Sequence, residues 1–83
     1  MTRDELTDRI FAILRDELLD ANEQFTPQSD LVAHGFDSLA LTQLLLSIEE
    51  TTGVWVDENA ITEQSLASTV AFAEFLHAYL DKP

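Results

Sequence analysis

A chain of 83 residues, 46% of them hydrophobic, is long enough for one small domain over residues 1–83 and too short for two. Sixteen Asp and Glu against four Lys and Arg give a formal charge of −12, which repels nucleic-acid phosphates and anionic lipid and attracts basic patches on proteins. The lack of cysteine excludes disulfides, thiolate metal sites and a cysteine nucleophile, so a thiol, if function needs one, must come from a cofactor.

No apolar run approaches the roughly 18–20 residues that span a bilayer. The start, Met1-Thr2-Arg3-Asp4-Glu5, has no secretory apolar core. A cytoplasmic protein, with no nucleic-acid or membrane partner, is the expectation.

Thr2 and Glu5 stand at capping-box spacing, which predicts the start of a first helix. Leu6, Ile10, Ile13, Leu14 and Leu18 recur at helical steps and line one face, with Asp8, Arg9, Asp16 and Glu17 largely opposite. The helix should fade near Leu19 or Asp20. Residues 20–36 keep no period. Pro27 and Gly35 bracket turns, and Asn22, Ser29 and Asp30 are loop formers. A loop this long has to be pinned in a compact domain, and Phe25, Leu31, Val32 and Phe36 are the expected pins. Residues 29–32 are a candidate single helical turn.

The second helix is predicted from Asp37, a good N-cap, to Thr51 or Thr52, with Gly53 as its stop. Leu41, Leu44, Leu45 and Ile48 form one apolar stripe; Leu39, Thr42 and Leu46 form a second on an adjoining face. Two readings of the second stripe stay open: a central helix buried on two sides, or an exposed docking patch. Val54, Trp55 and Val56 read as an extended link with both valines inward and Trp55 partly outward, either covered by the bundle or in contact with a partner. Asp57 is a candidate cap for a short helix through Ala60, Ile61 and Thr62, and Leu66 is a lone apolar anchor. Ser68 should cap a closing helix over residues 69–80, with Val70, Phe72, Ala73, Leu76, Tyr79 and Leu80 on its buried side and Pro83 beyond its end. The sum is all-α: a small bundle of three main helices and one short one, with a long loop between the first two.

Ser38 is the residue with chemical promise. A serine in a helix's first turn is ordinary capping physics, and the residues alone favour that reading. The same place suits a phosphodiester, because free N–H groups and the positive dipole end stabilise an anion. A catalytic serine would need a base. His34 and His77 are the only histidines, and no sequence feature sets either beside Ser38. Asp37, as a cap, is committed to the backbone. Asp57, Glu58, Asn59 and Glu63 lack the alternation and central glycine of a calcium loop, so a solvated acidic face is expected, not a metal site.

Gly35-Phe36-Asp37-Ser38-Leu39 resembles the Asp-Ser-Leu attachment motif of acyl carrier proteins. The likeness extends to the chain's length, its acidity, the order of helices and the Ile48-Glu49-Glu50 segment. It implies an acyl-carrier-like bundle in which Ser38 receives 4′-phosphopantetheine from coenzyme A by a phosphopantetheinyl transferase. The arm ends in the thiol that this chain lacks, and cargo rides on it as a thioester. The protein would make no bonds itself. The resemblance places partner contacts at Asp37, Leu39, Leu46, Glu49 and Glu50. Fatty-acid carriers bear acidic residues just after the Ser-Leu pair and one turn later, where this chain has Ala40 and Gln43, so weaker salt-bridge docking to general fatty-acid enzymes is expected.

The expectation is therefore a free-standing, monomeric carrier that presents acyl intermediates to the synthases or transferases of a specialised pathway, polyketide or related. An acyl- or aminoacyl-loading enzyme would supply the cargo. The alternative is an aminoacyl or peptidyl carrier charged by an adenylating enzyme. A small helical adaptor that binds protein through Leu39 and Leu46 is the competitor from another class, and a small hydrolase the third.

Overall fold

The computed structural model describes residues 2–19 and 24–81. Within them the order is α1 (Arg3–Ile13), α2 (Ser38–Thr52) and α3 (Thr69–Leu80), with no strand. The expected ends at Asp20 and Pro83 and the loop former Asn22 lie outside the described residues.

Each α-helix starts where a side chain satisfies an orphan N–H. Thr2 Oγ1 accepts from Glu5 N–H at 3.1 Å, and the Glu5 carboxylate accepts from Thr2 N–H at 3.4 Å. Ser68 Oγ accepts from Ala71 N–H at 3.1 Å at the head of α3. Beyond Ile13 the chain widens into a π turn over Leu14–Leu18, closed by the Leu19 N–H donating to the Leu14 carbonyl at 2.8 Å. Leu19 itself is extended, so the first helical segment ends where its period does.

One core joins the elements. Leu6, Ile10, Ile13 and Leu14 meet Leu44, Leu45 and Ile48 of α2 and Phe72, Ala73 and Leu76 of α3, all buried. Each large apolar side chain so buried contributes about 1.5–3 kcal/mol, which is where a chain of this size finds its stability. The start of α1 lies beside the end of α3: Arg3 approaches Glu74 at 3.8 Å, and Leu6 shares a surface hollow with His77 and Leu80.

The loop before α2 is held by aromatic and backbone contacts. Phe25 is buried and stacks on Phe11 at 5.1 Å. Val70 N–H donates to the Pro27 carbonyl at 3.0 Å, and Leu31 N–H to the Ala67 carbonyl at 3.4 Å, tying the loop to the approach and first turn of α3. Leu31 and Phe36 are buried as expected, but Val32 is 66% exposed and is no pin. The reason is local. Asp30 Oδ1 accepts from Val32 N–H, and the helical turn forms at Val32–His34, later than residues 29–32. Leu31 takes the inward slot, and about 120° of rotation per residue turns its neighbour outward.

Two further expectations are corrected. Val56 is fully buried, but Val54 is 38% exposed, because the chain is still turning off α2 with Val54 N–H held by Thr52 Oγ1. The short helix after Asp57 is only a 3-10 turn, Glu58–Ala60, with Asp57 capping Asn59 N–H. Ile61 is already extended, and Thr62 Oγ1 accepts from Ser65 N–H, a local bond that competes with helix continuation.

Candidate functional site

Ser38 is the first residue of α2 and is exposed. Its placement follows from its neighbours. Phe36, two residues earlier, is 6% exposed, and Ala40, two residues later, is 5% exposed, so both sides are anchored in the core. Between Leu31 and Phe36 the chain reverses through Gly35 at φ 92°, with the Phe36 N–H returning to the Leu31 carbonyl at 3.0 Å. A side chain there would adopt a backbone conformation that only glycine takes cheaply.

Asp37 caps the helix: its Oδ1 accepts from Ala40 N–H at 2.9 Å and its carbonyl from Leu41 N–H at 2.9 Å. The carboxylate is thereby committed to the backbone. The amides of Ser38 and Leu39 have no acceptor within the helix by its geometry, and they sit at the positive end of a 15-residue dipole. That is an environment for an anion carried on the serine oxygen.

Beside the hydroxyl lies an open hollow of about 260 Å³ lined by Val32, Phe36, Asp37, Ser38, Leu41 and Leu66. Apart from Asp37 and Ser38 its walls are apolar. Neither histidine lines it. His34 sets its ring edge-on to Phe25 at 5.0 Å, and His77 lies by Leu6, Leu80 and Asp81 at the start of α1. Among the described residues no histidine lines the hollow at Ser38, and the Asp37 carboxylate is already bonded. Asp57 is likewise engaged as a cap, and no group of three or more His, Asp or Glu is placed to hold a metal ion among the described residues.

The second stripe of α2 faces outward. Leu39 is 66% and Leu46 49% exposed, with Glu49 and Glu50 also exposed, while Leu44, Leu45 and Ile48 fill the core. Of the two open readings, the geometry gives the exposed patch. Ala40 requires a correction. Its burial removes it from the exposed side of α2, so of the two uncharged positions only Gln43 is at the surface. Leu66, Val32 and Leu41 as walls of the hollow were missed by sequence reasoning. No sequence signal links Leu66 to a serine 28 positions earlier; the contact is tertiary.

The bundle presents an exposed serine at a helix head beside an apolar hollow, an arrangement suited to carrying a covalent group. The family model "Phosphopantetheine attachment site" matches residues 8–73, and the chain belongs to that family. Its members hold 4′-phosphopantetheine covalently, and the residues here fit the group: the helix head suits its phosphodiester and the hollow the apolar part of the arm. The arm supplies a terminal thiol on which cargo forms a thioester.

In fold the chain is similar to the carrier in the crystal structure of Bradyrhizobium japonicum glycine:[carrier protein] ligase complexed with glycylated carrier protein, at 25% identity, TM-score 0.62, covering 88% of this chain and 96% of that one. It is also similar to a chain in the engineered form of that ligase complexed with carrier protein from Agrobacterium tumefaciens and ATP, at 24% identity, TM-score 0.66, covering 93% and 99%. The second likeness bears on the fold alone. Comparison with curated protein sequences yields no match.

Proposed function

We propose that Ser38 is the attachment residue and that the protein, a single carrier domain, is charged through the arm by a separate adenylating ligase and presents an amino acid or similarly small acid as a thioester. The observation that carries the attachment is the exposed hydroxyl at the head of α2 with its own cap already satisfied by Asp37. In the attachment step the Ser38 oxygen forms a bond to the phosphorus next to pantetheine, the bond from that phosphorus to the adenosine bisphosphate part of coenzyme A breaks, and the hydroxyl proton passes to a base of the transferase. The chain's own residues hold the serine outward and stabilise the resulting anion.

Support for an aminoacyl cargo comes from the likeness to a glycylated carrier. The reading of an acyl carrier in a polyketide or related pathway is favoured by the apolar hollow at Ser38, which accommodates an uncharged acyl group better than an ammonium. The apo protein, incubated with coenzyme A and a broad-specificity transferase and weighed, is expected to gain one phosphopantetheine; Ser38→Ala is expected to gain none. Gain of the group by that variant would refute Ser38 as the site. Panels of acyl and aminoacyl adenylates offered to the holo protein then decide the cargo.

A further inference from the structure

We propose that Val54 and Trp55 form a second docking contact, one helix length from Ser38, for the transferase that installs the arm, and that the transferase meets it with an apolar pocket ringed by Arg and Lys. The proposal rests on Ser38 being the attachment residue.

Three observations converge. The large exposed apolar side chains among the described residues are Val32, Leu39, Leu46, Val54 and Trp55; none lies on α1 or α3. Leu39, Leu46 and Gly53 follow at seven-residue steps, close to one line along a helix, and Val54 and Trp55 continue the chain where that line ends. Trp55 is 47% exposed although the link is already anchored by Val56, which is fully buried. About half of the indole surface is therefore left open to a partner.

The surroundings fix the partner's chemistry. Glu49, Glu50, Asp57 and Glu58 flank the pair in sequence and are exposed. Arg3, Arg9 and Arg15 are all in the first fifteen residues and the remaining cation is Lys82, so residues 16–81 contain no Lys or Arg. A second copy of this acidic chain is repelled there. An enzyme holding coenzyme A must bind its phosphates with cations, and it must bring that anion up to Asp37 and Ser38 against the same negative field. Reach is also satisfied. The 15 residues of α2 span about 21 Å. A standard interface of roughly 800 Å² per partner is about 30 Å across, so an enzyme seated along α2 reaches Trp55 when the contact is centred on the helix and Ser38 lies near its other rim. Partly exposed tryptophan with a charged rim is the composition that concentrates binding energy at interfaces.

The test uses the full apo chain and a purified broad-specificity transferase. Trp55→Ala is expected to raise KM for the carrier about tenfold with kcat within about twofold, and Trp55→Phe to keep most of the affinity. Trp55 is the chain's only tryptophan, so a 5-fluorotryptophan label gives one fluorine resonance. In the Ser38→Ala background, where no turnover occurs, that resonance is expected to shift when transferase and coenzyme A are added. A KM for Trp55→Ala within about twofold of the parent, or a resonance that does not move, overturns the contact. Failure of the parent chain itself to be modified overturns the attachment reading instead, which separates the two.

Discussion

Ser38 is held at the surface by the residues around it. Phe36 and Ala40 sink into the core on either side, and Asp37 spends its carboxylate on the Ala40 amide. The serine is left exposed at the helix head, which suits a tether. Leu46, two turns further on, is 49% exposed, and that exposure decides how a substitution there should behave. Leu46→Glu is expected to leave helicity unchanged and stability within about 0.5 kcal/mol, as for surface positions in general. It should slow modification by the transferase about tenfold, as loss of an apolar interface anchor does. Circular dichroism and thermal melts check the first outcome and initial rates the second. A collapse of the folded state would make Leu46 core and remove the docking face.

At the scale of the element, α2 is bounded by two local devices, the Asp37 cap and Gly53 in the left-handed conformation at φ 75°. Space is open at Gly53: a Cβ there meets nothing within 4 Å. Any cost of a side chain is therefore backbone strain alone. Gly53→Ala is expected to destabilise by about 1 kcal/mol and to lower the melting temperature by about 4–8 °C. Asp37 fixes the head of α2 independently of Gly53, so the variant is expected to keep the parental kcat for attachment at Ser38 below the melt. A variant as stable as the parent would show that the helix ends otherwise. These ends were legible in the sequence because capping is settled within four residues, as Thr2 with Glu5 and Ser68 with Ala71 also show. The turn at Val32–His34 and the abbreviated turn at Glu58–Ala60 were less legible, because there side-chain bonds from Asp30 and Thr62 compete with continued helix.

The whole molecule carries its charge unevenly. Of sixteen carboxylates only Asp4, Glu5 and Asp8 precede Arg15, leaving thirteen on a stretch with no Lys or Arg. Described ion pairs are confined to Arg3 with Glu74 and Arg15 with Asp16, all well exposed. The Arg15 hydrogen bond and charge hold the Asp16 carboxyl below its ordinary value, a contribution present at neutral pH and lost as the pH falls through that lowered value. Elsewhere like charges repel in the folded state with little to offset them. Raising sodium chloride from low millimolar to about 0.5 M is expected to raise the melting temperature by about 5 °C, as screening lengths fall from tens of ångströms to a few. The same salt should weaken docking of a basic partner, so stability and modification rate are expected to move in opposite directions. A melting temperature indifferent to salt would show that the repulsion is already relieved.

Chain-local physics was enough to define three helices, their caps, the all-α class and the serine at the head of α2. Those features depend on side chains within a turn of one another and on a 3.6-residue period, both of which the sequence displays. The motif's context was enough to suggest the covalent arm. Which apolar residues are hidden was a different question. Val32 and Leu31, Val54 and Val56, Leu46 and Leu45 are chemically alike, and only the packing of α1, α3 and the loop against α2 separates the exposed member of each pair from the buried one. The outward face of α2, the exposed Trp55 and the open hollow that Leu66 helps to line beside Ser38 all follow from that packing, because burial is a property of what arrives on the other side and not of the residue itself.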